Sequence, residues 1–65
     1  MDDQRVGRIV RASRRRRRWR QVDLAAVAGC SQNLVSLIER GHSDRVAMRT
    51  MRRVLASLDA TASIE

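Results

Sequence analysis

Residues 30 to 41, CSQNLVSLIERG, combine hydrogen-bonding side chains with the spacing of a short helix. On a helical wheel, Val35 and Ile38 fall on one side, which we expect to be buried. The opposite side carries Gln32, Asn33, Ser36, Leu37 and Arg40. This face offers no catalytic group, but carboxamides pair in bidentate fashion with adenine, a hydroxyl donates or accepts, and leucine can contact a thymine methyl group. The pattern therefore favours a surface that contacts DNA base edges.

A second short helix is predicted immediately before this one, over about residues 21–28. Its inward positions are Leu24, Ala25 and Ala28. Gly29 ends it in the left-handed conformation that glycine adopts at low cost. Ser31 then caps the next helix, which runs to about Arg40 and is ended by Gly41. Two helices joined by a short glycine turn, the second with a polar outer face, predict a helix-turn-helix over about residues 21–40.

Two further helices are needed to hold this pair. The first begins at Asp2 or Asp3 and leads into the arginine run at residues 14–18. We expect its inner face to consist of Val6, Ile9, Val10 and Ser13. After the loop at residues 42–47, in which Ser43 or Asp44 can cap the next helix, another helix is predicted over about residues 46–58.

The apolar positions of that last helix are Met48, Met51, Val54, Leu55 and Leu58. The tail at residues 59–65 can add one more turn, with Ile64 packing back onto the core. Strand patterns are weak throughout the chain. We therefore expect an all-α fold, a compact four- or five-helix bundle that occupies residues 1–65 as a single domain.

The charge of the chain is strongly unbalanced. The chain contains fourteen arginines, no lysine and seven acidic residues, which gives a net charge of +7 and a pI near 11.7. A GC-rich genome can explain arginine over lysine, but it does not explain the net charge. Such a charge on so small a chain indicates a polyanionic partner, most often nucleic acid. Because Trp19 is the only aromatic residue, the chain has little aromatic surface on which the bases of single-stranded DNA or RNA could stack.

Several other classes of function are disfavoured. Cys30 is the only cysteine, so we expect no intrachain disulfide, a reducing compartment and a buried small side chain at this position. His42 has no partner at ligand spacing, and we predict neither a metal nor another cofactor. There is no nucleophile–base set, so we do not expect an enzyme. Without a membrane span or an apolar signal sequence, we expect a cytoplasmic protein, associated with the bacterial nucleoid when bound to DNA.

The segment WRQVDLAAVAGCSQNLVSLIERG, residues 19–41, resembles the Cro/C1-type (XRE-like) helix-turn-helix family of phage repressors and bacterial regulators. The matching positions are Gln21 opening a helix, Ala25 at a close helix contact, Gly29 in the turn, and Val35, Ile38 and Glu39 at the end. The resemblance extends upstream to Val6, Gly7 and Arg14 and downstream through the last helix. It implies a lambda-repressor-like fold and sequence-specific binding in the major groove of double-stranded DNA, as a bacterial transcriptional regulator of the repressor kind.

The resemblance also implies roles for particular residues. The start of the recognition helix contacts bases, which points to Ser31, Gln32 and Asn33, with Leu37 and Ser36 one turn on. Relatives often have a polar residue at the position of Leu37, so its leucine restricts that contact to a methyl group. The DNA phosphates are expected to be contacted by Gln21, Arg20, Arg18, Arg17, Arg40 and Arg45. Arg14 and Glu39 are expected to form a structural ion pair, which at a partly exposed site is worth about 0–1 kcal/mol.

Two departures from the family pattern carry their own expectations. Relatives commonly have Gly-Leu-Thr before the second helix, whereas this chain has Arg18, Trp19 and Arg20. We expect Trp19 to take the core position of the leucine. We expect Arg18 to accept the backbone strain that a glycine at this position would have relieved. Val22 and Val27 replace residues that are usually polar in the family, and they could mark an interface with a partner.

The sequence leaves the assembly open. Relatives bind inverted-repeat operators as dimers, so a homodimer on DNA is implied, although the chain shows no obvious dimer seam. One alternative is an interaction module, such as an antitoxin or the N-terminal DNA-binding part of a longer protein. Another is binding of nucleic acid without sequence preference through the arginine run.

Overall fold

The structure, a computed structural model, describes residues 2–59. Its helices are α1 (Asp3–Arg16), α2 (Gln21–Ala28), α3 (Gln32–Glu39) and α4 (Met48–Asp59), with a 3₁₀ turn at Ser43–Arg45 between α3 and α4. These residues contain no strand, and they pack into a body of 28 × 23 × 20 Å. The prediction of a compact all-α fold is therefore confirmed. The predicted turn around Ile64 lies outside the described residues.

Local sequence features set the ends of the helices. The carboxylate of Asp2 accepts the backbone N–H groups of Gln4 and Arg5 and so caps α1. Three arginines form the last turn of α1, where cations complement the helix dipole. Ser31 caps α3 through a 3.2 Å hydrogen bond that its Oγ accepts from the Leu34 N–H.

One hydrophobic core joins all four helices. Its largest fully buried side chains are Val10, Leu24, Val35, Ile38 and Val54. Around them lie the other buried apolar residues, which are Val6, Ala25, Ala28, Val46, Met51 and Leu58. Every helix contributes to this cluster, in which α3 packs against α1 and α2, and α4 packs against α2 and α1.

A small residue allows α1 to lie directly on the end of α3. A Cβ atom added at Gly7 would be 2.5 Å from the Ile38 carbonyl oxygen and 3.0 Å from that of Glu39. Any larger residue at this position would have to displace the backbone of α3. Gly7 therefore fixes the distance between the first helix and the recognition helix.

Two residues predicted to lie in the core are exposed, so those predictions were wrong. Ile9 is 52% exposed and Met48 is 67% exposed. Each lies on the apolar side of its helix by sequence, but outside the buried cluster. Helical spacing shows which side of a helix is apolar, but not how far the neighbouring helices extend around that side.

The connection into α4 also differs from the prediction. We expected α4 to begin near Val46 with Ser43 or Asp44 as its cap, but those two residues belong to the 3₁₀ turn and α4 begins at Met48. The Ser43 hydroxyl instead donates a 2.7 Å hydrogen bond to the Asp3 carboxylate of α1. This tertiary hydrogen bond uses the hydroxyl that was predicted to cap the helix.

Candidate nucleic-acid interface

The turn between α2 and α3 has the geometry of a helix-turn-helix. Gly29 adopts φ 72° and ψ 37°, in the left-handed region predicted for it. Its N–H donates to the Ala26 carbonyl and the Cys30 N–H donates to the Ala25 carbonyl, which together form a Schellman motif. After this turn α3 begins at Gln32, with Ser31 as its N-cap.

The exposed side of α3 carries the residues predicted to contact bases. Ser31, Gln32 and Asn33 are exposed in its first turn, and Ser36 lies half-buried one turn later. Leu37 was predicted on the exposed side, but it is half-buried and packs against the core. Cys30, predicted to be fully buried, is also half-buried, and burial raises the pKa of its thiol.

A chain of hydrogen bonds connects the start of α3 to the start of α2. Gln32 Nε2 donates to Gln21 Oε1 at 3.1 Å, and Gln21 Nε2 donates to Glu39 Oε1 at 3.2 Å. Because a carboxylate can only accept, Gln21 must direct its amide nitrogen to Glu39 and its oxygen to Gln32. The orientation of the Gln32 side chain is therefore linked to a residue at the far end of its own helix.

The ion pair predicted between Arg14 and Glu39 is present in the structure. It is bidentate, with Arg14 Nε 2.6 Å from Glu39 Oε2 and Arg14 Nη2 3.0 Å from Glu39 Oε1. The remaining Nη1 group donates to the Trp19 carbonyl at 2.7 Å.

This ion pair is more buried than predicted. The two side chains are 12% and 5% exposed. Because removal of one partner would leave the other charge poorly solvated, we expect its loss to cost more than the about 0–1 kcal/mol of an exposed pair. The pair therefore holds the end of α3 firmly to α1 and to the loop before α2.

The loop at residues 17–20 presents two exposed arginines. Arg18 has a φ of 59°, which agrees with the expectation that it takes the backbone conformation of a missing glycine. Trp19 is half-buried and packs against the core, as predicted. The side chains of Arg18 and Arg20 therefore extend from a loop that is fixed at its centre by Trp19.

Arg20 also interacts with the first turn of α2. Its backbone N–H donates to Asp23 Oδ2 at 2.7 Å, which is half of a capping box, and its guanidinium forms an ion pair with the same carboxylate at 3.2 Å. The hydrogen bond from the Arg20 side chain lowers the pKa of Asp23 below its usual value. Because the Arg20 side chain is 80% exposed, this pairing leaves it accessible from solvent.

Arg17 makes internal contacts that the sequence did not indicate. Its guanidinium donates to the Leu58 carbonyl near the end of α4 and to the Ser13 carbonyl at 3.4 Å. The same group lies 5.7 Å from the centre of the Trp19 ring. In this structure Arg17 joins α1 to α4, and no sequence pattern could have paired it with a carbonyl 41 residues away.

The remaining predicted phosphate contacts lie around α3. Arg40 directly follows Glu39, is exposed and donates to the Ser36 carbonyl at 3.4 Å. Arg45 is exposed in the 3₁₀ turn that follows α3. Because Gln21 contacts both Gln32 and Glu39, Arg20 and Arg40 are each one residue from this hydrogen-bond chain. Exposed cations and exposed amides therefore occupy one part of the surface.

Neither a metal site nor a membrane-spanning helix is found in the part of the chain that the structure describes. Positions 2–59 contain no group of three or more His, Cys, Asp or Glu that could hold a metal ion. Over the same range, no helix is long and apolar enough to cross a membrane.

Comparison with known proteins gives one match. A sequence profile of a family described as a helix-turn-helix domain matches residues 4–65. No curated protein and no solved structure gave a significant match. The matched residues include all of α2, the glycine turn and α3, and membership of such a family indicates DNA binding. The chain belongs to the helix-turn-helix domain family.

Proposed function

We propose that the protein binds specific sequences of double-stranded DNA by placing α3 in the major groove, and that it acts as a bacterial transcriptional regulator of the repressor kind. The observation that carries this proposal is the hydrogen-bond chain from Gln32 through Gln21 to Glu39 and Arg14. It orients an exposed carboxamide at the start of the recognition helix, which is where base contacts are made in helix-turn-helix complexes.

Base readout is assigned to the exposed start of α3. Gln32 keeps its Oε1 and one N–H group for a bidentate contact with adenine, because only one N–H donates to Gln21. Asn33 has the same chemistry on the neighbouring exposed position. Ser31 and Ser36 supply hydroxyls, and the half-buried Leu37 offers only an edge for a thymine methyl group.

Contacts with the phosphate backbone are assigned to the exposed cations around this helix, which are Arg18, Arg20, Arg40 and Arg45, together with Gln21. Such contacts fix the register of the protein on the duplex and carry little sequence information themselves. Arg17 is left out of this set, because its guanidinium contacts two backbone carbonyls and lies near the Trp19 ring.

The proposed target is an inverted repeat bound by two copies of the chain. Two recognition helices placed about 34 Å apart would enter successive major grooves on one side of the duplex. Half-sites containing adenine are expected, since the exposed amides favour that base.

The proposal is tested by selecting bound duplexes from a random DNA pool at about 150 mM salt, where non-specific binding is weakened. We expect enrichment of an inverted repeat with adenine in each half-site. Enrichment of a single half-site would support base readout but would contradict binding by two copies of the chain. Recovery of unenriched DNA would contradict sequence-specific binding.

A second candidate function is supported by the exposed apolar side chains of α2. Val22 is 43% exposed and Val27 is 58% exposed, at positions where the family usually has polar residues. In this alternative the chain is an interaction module that binds a protein through α2, as an antitoxin or as the DNA-binding part of a longer protein. Mutation of both valines to serine should then abolish capture of that protein while leaving DNA binding unchanged.

A further inference from the structure

An apolar groove of about 510 Å³ lies between the start of α1, the 3₁₀ turn and α4. Its apolar lining comes from Val6, Val46, Met48, Met51 and Leu55. Asp3, Ser43 and Asp44 complete its lining and supply the polar groups. None of these residues belongs to α2 or α3, although Asp44 and Val46 flank Arg45, one of the proposed phosphate contacts.

Of the two residues that were wrongly predicted to be buried, one lines this groove and the other lies one helical turn from a residue that lines it. Met48 lines it and is 67% exposed. Ile9 follows Val6 by three residues and so lies on the same side of α1, one turn further along, where it is 52% exposed. An apolar groove with an exposed methionine in its lining indicates a site for another protein surface.

The charges around the groove indicate what that surface must carry. Asp3 and Asp44 are two of only seven acidic residues in a chain with a net charge of +7. Their carboxylates attract a partner whose apolar side chains are flanked by cations. This chain is itself such a partner, because Ile9 follows the exposed Arg8, and Met48 precedes the exposed Arg49.

We propose that the groove is the contact surface between two copies of this chain. In a two-fold arrangement each copy supplies apolar side chains and arginines to the other, so every favourable contact is made twice. This assigns a surface to the dimer on DNA proposed above and extends that proposal.

The size of the chain makes this contact a weak one. A standard interface buries about 800 Å² per partner. The described chain exposes 4586 Å² in total, so 800/4586, or about one sixth of its surface, would be needed. A single groove with its two flanking residues supplies a small interface, and small interfaces belong to the transient class. We therefore expect dissociation constants between about 10 μM and 1 mM in the absence of DNA.

The test is sedimentation equilibrium of the full chain without DNA over that concentration range. Met48→Glu and Ile9→Glu each place a charge in the proposed contact, and both should weaken self-association by at least about tenfold. Ala26→Glu is the matched control, since it introduces the same charge at an exposed residue of α2, a helix that does not line the groove. It should self-associate like the wild type.

Two results would overturn the proposal. One is a wild-type chain that remains monomeric up to about 1 mM, and the other is equal self-association in all four proteins. Circular dichroism of each variant checks that the fold is retained, which we expect because all three altered side chains are exposed. Because no DNA is present, this result is independent of whether the chain proves to bind specific sequences.

Discussion

Arg17 and Arg20 are three residues apart, but the structure uses their side chains differently. Arg20 is exposed and pairs only with Asp23 at the surface, so a DNA phosphate can compete for it with little loss. Arg17 instead contacts the backbone of α1 and α4 and lies near the Trp19 ring. A count of positive charges in the sequence gives these two residues the same role, whereas their hydrogen bonds do not.

The salt dependence of DNA binding distinguishes the two roles. Arg20→Gln should lower the slope of log K against log salt concentration by about 0.9, because one fewer phosphate is neutralised. Arg17→Gln should leave that slope unchanged while lowering thermal stability, because it removes a link between α1 and α4. Fluorescence anisotropy with a labelled duplex at several salt concentrations measures both slopes. Equal reductions in slope would return Arg17 to the set of phosphate contacts.

Protonation of Asp23 should affect stability only in acid. Its pKa is lowered in the folded chain by the Arg20 side chain, so the folded state favours the ionised carboxylate. The resulting stabilisation is present at neutral pH and is lost as the pH falls through the pKa of the folded state. Urea unfolding should therefore show an acid-induced loss of stability that is smaller in Asp23→Asn. An identical pH dependence in the two proteins would argue against this coupling.

Among the secondary-structure elements, α1 lies directly against the backbone at the end of α3, at the position of Gly7. Gly7→Ala should destabilise the chain, because its Cβ would lie 2.5 Å from the Ile38 carbonyl oxygen. Overpacking of this kind costs about 1–3 kcal/mol, whereas replacing a helical glycine by alanine returns at most about 1 kcal/mol. The free energy of unfolding in urea should fall by about 1–2 kcal/mol.

The opposite change on the same helix is the control for that prediction. Ala12 is exposed on α1, so Ala12→Gly tests helix propensity without a packing effect and should cost about 1 kcal/mol. If Gly7→Ala were more stable than the wild type, helix propensity would outweigh packing and the close contact between α1 and α3 would be wrong.

Sequence predicted the helix-turn-helix well because its boundaries depend on local chemistry. Ser31 as a cap and Gly29 in a left-handed turn each act within a few residues. The exposure of Ile9 and Met48 depends instead on how far neighbouring helices extend, which helical spacing does not contain. The contact between Arg17 and Leu58 joins residues that are far apart in the chain, and only the packed structure brings them together.

The pairing of Arg14 with Glu39 shows the reverse case. These residues are 25 positions apart, and neither charge patterning nor periodicity pairs them. Resemblance to the helix-turn-helix family supplied the partner, whereas the extent of burial required the structure. A helical wheel could not predict the contact between Gln21 and Gln32 either, because it treats each helix separately.

At the scale of the whole molecule, charge and apolar surface are distributed differently. Exposed arginines surround α3, whereas the apolar groove beside α4 is lined by two aspartates. Because α3 does not line the groove, one small chain could bind DNA through α3 and a second copy of itself through the groove.

We propose that the start of α3 reads base pairs. The most direct test compares the DNA motifs selected by the wild type with those selected by a variant of this segment. Random-pool selection should be carried out in parallel for the wild type and for Asn33→Ala, which removes an exposed carboxamide without altering the core. We predict that the variant loses base preference at one position of each half-site and keeps the rest of the motif. An unchanged motif, or an equal loss of affinity for every sequence, would contradict the account.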